Sequence, residues 1–326
     1  MPSIRIHKIP VKHDYWGRTF KRSLPSDSLQ EAMKRYFSKP DNALLPSLGM
    51  LYQRRYRLGD VRSLAAALFQ EGDYAYVFRV VVDAEGGGKS RLAMILAKDE
   101  GRMSRIARSE HGNLKRLYGR CSDIVVRPLE GDSLTMPGPR SRKIYAYFTP
   151  WLNRHHELGV QHKNMNFYIN ELPFQYFDSP TSDAVKSRML SIMFRLYDPI
   201  RHEAIEPPKV GAGDFVVTRK SPHDLKLIAC RKILQGVSLD RCIRLYLGYQ
   251  GSWGDRIFHF LPKDVRLLKQ ALIEGLVVHN GLSAEDVYFA LKRYRGSLAR
   301  MKTPKDSWSP VPTMNKLLTE TWPHPP

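Results

Sequence analysis

Short apolar runs bounded by turn residues follow one another from position 74 onward, and this pattern is typical of β-strands. Two of the runs flank three glycines at 86–88, which predicts a hairpin. After the hairpin, positions on one face recur at helical spacing and predict a helix. The predicted elements are, in order, hairpin strands over Tyr74–Val82 and Arg91–Lys98, a helix around Ile106–Leu117, and strands over Ile124–Val126 and Ile144–Phe148.

The second half of the chain is predicted to be mainly helical, because apolar residues form stripes at helical spacing. The predicted helices cover Asp183–Tyr197, Asp240–Tyr249, Lys263–Val278 and Ser283–Tyr294. Near the N-terminus, Leu29, Met33 and Phe37 predict another short helix, capped by Ser26–Ser28. Beyond Thr303, six prolines predict a loose tail.

Composition narrows the class of protein. The chain has 326 residues, of which 42% are apolar and 26% charged, as expected for a globular protein with a sizeable core. There is no run of about 18 apolar residues to span a membrane, and the first segment has no signal-peptide core. The three cysteines form no Cys-x-x-Cys pair. We therefore expect a cytoplasmic, reducing location without a zinc site or a disulfide framework.

The formal net charge of +20 is the strongest compositional feature, and it predicts an acidic or phosphate-bearing partner. Nucleic acid, an acidic protein surface and an anionic membrane all meet this requirement, while a merely solvated basic surface is the alternative. The N-terminal residues interleave basic and aromatic side chains, a combination suited to contacting phosphates and stacking on bases. The candidate contacts are Arg18, Lys21, Arg22, Arg54, Arg55 and Arg57.

The segment 202–233 carries the pattern that bears most on chemistry. It reads His202-Glu203-Ala204, then Gly213-Asp214-Phe215 opening an apolar strand, then a second short strand over Leu225–Ile228 that is followed by Ala229-Cys230-Arg231. This order resembles the metal-binding loops of the protein kinase-like superfamily, in which His-Arg-Asp precedes an Asn-bearing turn and a later strand ends in Asp-Phe-Gly. Across roughly residues 70–250 the chain resembles that superfamily, especially its divergent bacterial members.

The resemblance also covers the strands before this segment. Gly72 to Val77 is similar to the end of a glycine-rich loop, although two of the family's three glycines are replaced. Lys98 closes a hairpin strand where the family has its phosphate-binding lysine, and Glu110 lies in the next helix, where it would pair with that lysine. Phe148–Leu152 lies where the hinge is expected. The implied nucleotide-binding residues are Gly72, Val77, Lys98 and Glu110. Each also has an ordinary explanation as a turn glycine, a strand residue or a surface charge.

In this comparison the chain keeps one metal ligand and lacks two key acids. Asp214 takes the position of the metal-binding Asn and would still hold a cation. Ala204 replaces the acid that orients the acceptor hydroxyl, and Ala229 replaces the acid that holds magnesium against the phosphates. The nearby acids that would have to substitute for them are Glu203, Glu206 and Asp224.

The resemblance implies an α+β, bilobal protein-kinase-like fold, with a small antiparallel β lobe containing one helix and a mainly helical large lobe. The predicted organisation is a basic N-terminal extension (1–62), a small lobe (63–152), a large lobe (153–302) and a Pro-rich tail (303–326). ATP and Mg²⁺ are the implied ligands. The missing acids favour a pseudokinase that acts as a scaffold or regulator. The alternatives are an atypical phosphotransferase with relocated acids, and a basic nucleic-acid-binding or ribonucleoprotein subunit.

Two other motifs suggest different chemistry. The stretch Gly86–Ser90 after an apolar strand is similar to a P-loop, but the glycine required six residues before Lys89 is an aspartate here. A flexible hairpin turn explains the stretch better. His155-His156-Glu157 suggests a metal site, yet adjacent histidines point in different directions and no third ligand has a recognisable spacing.

Overall fold

The computed structural model describes residues 3–8, 27–86, 88–138, 142–160, 166–170, 174–207, 212–221, 224–248, 250–253, 256–259, 261–300 and 311–322. The chain divides into two compact units, Met1–Asn153 and Arg154–Pro326. Both combine strands and helices, so the predicted α+β class is confirmed. Every helix among the described residues is too short or too polar to cross a lipid bilayer.

Unit 1 is built on a six-stranded sheet with the order β1-β2-β3-β4-β6-β5. Its strands are β1 (Ser3–Lys8), β2 (Val61–Glu71), β3 (Ala75–Ala84), β4 (Gly88–Ala97), β5 (Gly131–Met136) and β6 (Arg142–Pro150). The edge strand β1 runs parallel to β2, and the remaining neighbours are antiparallel. The predicted hairpin is the β3–β4 pair, whose turn includes Gly86 at φ +67°. This left-handed backbone conformation favours glycine.

Alternation of side chains gives this sheet two different faces. On β3, Phe78 and Val80 are buried, whereas Val77 and Arg79 on the other face are partly exposed. The helices of unit 1 are α1 (Asp27–Phe37), α2 (Leu44–Tyr52) and α3 (Arg102–Tyr118), with a 3₁₀ turn at Leu58–Asp60. Helix α1 packs on β5, and both α2 and α3 pack on β6. The described parts of residues 1–62 thus contribute a strand and two helices to unit 1.

Unit 2 contains short strands and most of the helices. Its strands are β7 (His155–Val160), β8 (Phe167–Ile169), β9 (Gln175–Tyr176), β10 (Ala204–Ile205), β11 (Phe215–Thr218), β12 (Leu225–Leu227), β13 (Ile233–Leu234), β14 (Gln250–Trp253) and β15 (Arg256–His259). One sheet has the order β12-β11-β7-β8-β9, and two further pairs are β10–β13 and β14–β15.

Five helices of unit 2 lie within the described residues. They are α4 (Ser179–Arg195), α5 (Leu239–Leu247), α6 (Val265–Leu272), α7 (Ala284–Arg300) and α8 (Val311–Thr319), and α6 continues as a π-helical segment over Ile273–His279. Helix α4 begins where the Asp178 carboxylate accepts a hydrogen bond from the Thr181 N–H at 2.8 Å, which also lowers the pKa of Asp178. The π-helical segment packs closely on α4 at Gly275.

Several sequence predictions of elements need correction. The run Ile124–Val126 is buried, but it forms no strand, since it consists of a turn residue, a bridge residue and an irregular residue, and the strand next to β6 is Gly131–Met136. Strand β2 was not predicted at all. The segment predicted as a loose tail contains α8, whose Met314 and Leu317 are fully buried. Pro312 is compatible with this helix because it lies in the first turn, where its missing N–H costs nothing.

Candidate active site

The turn between β2 and β3 holds the predicted nucleotide-binding Gly72. It is a short turn, in which the Gly72 N–H donates to the Ala75 carbonyl at 2.9 Å. A Cβ atom at position 72 would lie 3.5 Å from that carbonyl, an ordinary contact, so this position does not require glycine. The turn is fixed to α3 instead, because the Tyr74 hydroxyl donates to the Glu110 carboxylate at 2.5 Å.

Glu110 is buried at the junction of α3 and the sheet. Its exposed fraction is 1%, and its Oε1 accepts hydrogen bonds from the hydroxyls of Tyr74 and Tyr147 at 2.5 and 2.6 Å. Across the sheet, Ile95 is in register with both Tyr147 and Val77, which places these three side chains on one face. The β4 side chain that shares this face is therefore an isoleucine, and no lysine is directed from there toward Glu110.

Lys98 makes different contacts from those the resemblance implies. Its ammonium group lies 2.8 Å from the Glu71 carboxylate and 5.4 Å from the centre of the Tyr76 ring. Tyr76 packs edge-on against the buried Phe78, so Lys98 lies on the Phe78 side of the sheet. In this structure Lys98 thus pairs with Glu71, whereas Glu110 is bound by Tyr74 and Tyr147, and a Lys98–Glu110 pair stays a prediction. Ile95 and Lys98 are three residues apart, and side chains an odd number of residues apart in a strand lie on opposite faces.

A buried histidine extends the hydrogen-bond network around Glu110. His111 Nε2 donates to the Leu129 carbonyl at 2.7 Å, which leaves Nδ1 to accept from the Tyr145 hydroxyl at 2.7 Å. Its ring stacks on Tyr147 with centres 4.7 Å apart. Burial lowers the pKa of His111, so the neutral ring that fits these two bonds is favoured. Burial likewise raises the pKa of Tyr145.

Asp214, the predicted metal ligand, is bound by an arginine of its own chain. It ends the 3₁₀ turn Ala212–Asp214 before β11, and its exposed fraction is 4%. After β12 the chain returns beside it, where the Ile228 N–H donates to the Asp214 carbonyl at 2.8 Å. Arg231 then places its guanidinium on the carboxylate, with Nη1 and Nη2 donating to the two oxygens at 2.9 and 2.7 Å. This bidentate pair neutralises Asp214 without a metal ion.

The positions of the two missing acids also differ from the resemblance. Ala204 is a buried residue of β10, paired with Leu234 of β13, and it does not lie in a loop. The family spacing places the acid five residues before the metal-binding residue. Counted back from Asp214, that position is Lys209, which lies outside the described residues. Ala229 lies between Ile228 and Arg231, on the stretch that turns toward Asp214.

The three candidate substitute acids have different surroundings. Glu203 forms a two-way backbone bridge with Asp198 and is buried. Glu206 contacts the Lys232 ammonium at 3.0 Å, and Asp224 lies 3.4 Å from His155 Nε2. Within the described residues, no cluster of three His, Cys, Asp or Glu side chains is arranged to hold a metal ion. This finding also leaves His155-His156-Glu157 without support as a metal site.

The P-loop interpretation is excluded by the fold. Lys89 and Ser90 belong to β4, directly after a hairpin turn, whereas a P-loop leads into a helix. The Ser90 hydroxyl donates to the Tyr52 hydroxyl at 2.7 Å, which is a packing contact between strand and helix.

The predicted basic contacts fall partly within the described structure. Arg18, Lys21 and Arg22 lie outside the described residues. Arg54, Arg55 and Arg57 are exposed after α2. Arg54 is held in place, since its guanidinium lies 4.3 Å from the centre of the Tyr56 ring and donates to the Glu85 carbonyl in the β3–β4 turn. The binding role of these residues stays a prediction.

The residues present do not fit the implied ATP and Mg²⁺ in this arrangement. Both oxygens of Asp214 accept from a guanidinium, and a second cation there would be repelled by Arg231. Lys98 is committed to Glu71, on the face opposite Tyr147. We therefore derive no catalytic step through a metal-bound nucleotide.

Three features of this region were not predicted from the sequence. Arg231 was noted only as a neighbour of Ala229. Glu157 of β7 lies so close to Gly213 that a Cβ atom there would be 2.5 Å from its Oε1, and the Glu157 side chain would have to move aside. The tyrosines that bind Glu110 come from a turn and from β6. A glycine directly before a retained acid was the one available signal.

Comparisons with known proteins leave the family open. No protein-family model and no curated protein matches the chain. A solved structure described as WaaP in complex with acyl carrier protein is similar over 77% of this chain and 85% of that chain, with 12% sequence identity and a TM-score of 0.33. A similarity at this identity and TM-score does not indicate a function, so the function is inferred from the geometry of the chain's own residues.

Proposed function

We propose that this chain is a kinase-like protein that does not transfer phosphoryl groups and acts as a scaffold or regulator. The observation that carries the proposal is the bidentate pair between Arg231 and Asp214. A phosphotransferase needs this carboxylate to hold a metal ion that bridges the phosphates. Here the positive charge is supplied by the protein, within the fold, and it remains whether or not a nucleotide is present.

The order of elements supports the kinase-like part of the proposal. Hairpin β3–β4, helix α3 and strands β5–β6 follow one another along the chain, and the four strands pair antiparallel. This is the order that the resemblance implies for a small lobe, and the predominance of helices after residue 178 agrees with its implied large lobe. The Ile95–Tyr147–Glu110 arrangement supports the loss of activity, since Glu110 is bound by two tyrosines where the family has a lysine.

The direct test is a phosphoryl-transfer assay under single-turnover conditions, with labelled ATP and either Mg²⁺ or Mn²⁺. The full chain is compared with Asp214→Asn, and we expect no incorporation above that background. In parallel, a thermal-shift titration measures ATP binding with and without Mg²⁺. We expect any shift produced by ATP to be the same in both conditions.

Two outcomes would overturn the proposal. One is incorporation by the full chain that disappears in Asp214→Asn. The other is incorporation that disappears when Glu203, Glu206 or Asp224 is replaced by its amide, which would establish the atypical phosphotransferase. Lys98→Ala serves as a further control, because its ion pair with Glu71 predicts no effect on nucleotide contact.

A further inference from the structure

Helix α3 carries a one-sided row of positive charge. Between residues 102 and 120 the chain has six Arg or Lys residues and one acid, Glu110, which is buried on the other side of the helix. The cations are spaced by three residues at first and resume two helical turns later, so they share one side. We call this surface the α3 basic face; its members are Arg102, Arg105, Arg108, Lys115 and Arg116 in the helix, and Arg120 just after its end.

The α3 basic face is open to solvent. All its members are exposed except Arg116, which is partly exposed. Among the described residues, no ion pair involves Arg102, Arg105 or Arg108, and Lys115 has only an exposed contact of 3.4 Å with Glu130. Such exposed pairs contribute little. The Arg108 guanidinium lies 4.4 Å from the centre of the Tyr145 ring, which restrains its orientation.

Glycine leaves the middle of the α3 basic face without a projecting side chain. Gly112 and Gly119 lie between the cations on the same side of the helix and are exposed. A Cβ atom at position 112 would meet no atom within 4 Å. A polyanion is therefore able to approach the helix backbone at Gly112. From Arg102 to Arg116 the row is about 21 Å long, which corresponds to about six phosphates of one strand of a duplex.

The chemistry of the face discriminates between anionic partners. The exposed large hydrophobic side chains of the described residues are Tyr52, Tyr176, Ile200, Val278 and Phe289, and none of them belongs to α3. A membrane-binding helix would present apolar side chains for insertion, and an interface with an acidic protein would have an apolar or aromatic centre. Stacking on single-stranded bases would need aromatic rings on the face. A regular row of cations, five of them arginines, suits a phosphate backbone.

We propose that the α3 basic face binds the phosphate backbone of double-stranded nucleic acid, without reading its sequence. The surface belongs to unit 1 alone and is independent of the Asp214–Arg231 pair. An experiment that contradicts this binding role would therefore leave the proposed loss of phosphoryl transfer unaffected, and the reverse also holds.

The test is a fluorescence-anisotropy titration of the full chain against labelled DNA and RNA duplexes of mixed sequence over a series of salt concentrations. We expect a linear fall of log affinity with log salt. The double variant Arg102→Gln/Arg105→Gln should reduce the magnitude of that slope by about two and weaken binding about tenfold or more. Its thermal unfolding midpoint should equal that of the unchanged chain, because both side chains are exposed.

The matched control is Arg241→Gln/Arg244→Gln, which removes the same charge from exposed positions of α5. Binding by this control should stay within about twofold of the unchanged chain. A second pair of variants separates charge from bulk: Gly112→Glu should bind more weakly than Gly112→Gln, although both side chains enter the same open space.

Four results would overturn the proposal. The first is an equal loss of affinity in the α5 control, which would mean diffuse attraction by the net charge. The second is equal binding by Gly112→Glu and Gly112→Gln. The third is competition by polyglutamate as strong as that by unlabelled duplex, which would indicate an acidic protein partner. The fourth is tighter binding to phosphatidylserine vesicles than to duplex, which would indicate a membrane surface.

Discussion

Arg231 and Asp214 form a charge pair whose two members have unequal exposure. The Asp214 side chain is almost completely buried, whereas the Arg231 side chain keeps about a third of its surface. Removing the arginine leaves a buried carboxylate without its counter-charge, and the resulting loss of folding stability exceeds the net contribution of the intact pair. The same removal frees both carboxylate oxygens for another cation. Position 231 therefore couples the stability of unit 2 to its response to metal ions.

We expect Arg231→Met to lower the free energy of unfolding by about 2 kcal/mol, because hydrogen bonds to a charged group are lost. We also expect the variant to gain a thermal shift with Mn²⁺ that the unchanged chain lacks. Urea unfolding and a metal titration measure these two effects. The double variant Asp214→Asn/Arg231→Met is the control, since it should lose the metal response. A Mn²⁺ response in the unchanged chain would contradict the prediction.

Glu110 should matter for stability rather than for nucleotide contact. Glu110→Ala removes the acceptor of one buried and one partly buried tyrosine hydroxyl, and we expect a loss of about 3 kcal/mol in the free energy of unfolding. The matched change Glu71→Ala breaks only the partly exposed pair with Lys98 and should cost less than about 1 kcal/mol. Chemical denaturation of both variants measures the difference. Equal losses would contradict the prediction, because they would mean that the tyrosine hydrogen bonds of Glu110 contribute no more than the partly exposed ion pair.

His111 gives unit 1 a sensitivity to acid. Burial lowers the pKa of His111 in the folded protein below 6.5, the value expected for the unfolded chain. Below pH 6.5 the unfolded chain therefore binds a proton that the folded protein resists, and stability falls as the pH falls. Above that pH both states are neutral and the effect vanishes.

We expect His111→Gln to have a weaker dependence of stability on pH between pH 7 and pH 5 than the unchanged chain, because the titrating group is absent. Denaturation curves at several pH values in this range measure the slope. A slope that is unchanged in His111→Gln would assign the acid sensitivity to other groups.

At the scale of elements, the contact between α4 and the π-helical segment depends on a glycine. A Cβ atom at position 275 would lie 2.5 Å from the Phe194 Cβ and 2.8 Å from the Ser191 carbonyl oxygen. Because the second atom belongs to the backbone, the two elements would have to move apart. We expect Gly275→Ala to lower the free energy of unfolding by about 2 kcal/mol.

The control for this prediction is Gly296→Ala in α7, where a Cβ atom would meet nothing within 4 Å. Since alanine favours a helix over glycine, we expect a gain of up to about 1 kcal/mol. Urea unfolding of the two variants measures the contrast. A loss at position 296 as large as that at position 275 would contradict the packing argument.

The sequence predicts a helix or strand well where its apolar residues clearly follow the helical or the strand period. The β3–β4 hairpin has a glycine turn between two long apolar runs, and α4, α5 and α7 have clear stripes and caps, so all were found. Strand β2 was missed because its alanines carry little strand preference. The buried apolar run Ile124–Val126 has the sequence pattern of a strand, although it forms none. Strand β5 was missed because its burial is incomplete and its apolar pattern is therefore weak.

Contacts within the candidate site were harder to predict than its location. Asp214 was located by its place before an apolar strand, and the structure does place it in a 3₁₀ turn before β11. Its partner Arg231 is distant in sequence, and only the return of the chain after β12 brings them together. Lys98 was expected to face Glu110, but the face on which a strand residue lies changes with every position. A shift of one residue along the strand moves a side chain to the other face of the sheet, and this is enough to direct Lys98 to a partner other than Glu110.

At the scale of the whole molecule, each unit has a hydrophobic core of its own. In unit 1, residues such as Phe78 and Phe148 are fully buried within the sheet and its helices, and in unit 2 Phe194 and Tyr246 pack edge-on with centres 5.4 Å apart. All three cysteines are free, buried thiols, so no disulfide joins the units. Each unit can therefore be destabilised by substitutions within its own core.

We expect the two units to unfold as separate transitions in calorimetry of the full chain. Glu110→Ala, whose contacts lie in unit 1, should lower one transition, and Gly275→Ala, whose contacts lie in unit 2, should lower the other. The double variant should then show the sum of the two effects, because distant sites without shared partners are additive. If both variants shift one common transition, the cores are coupled and the two units form a single cooperative unit.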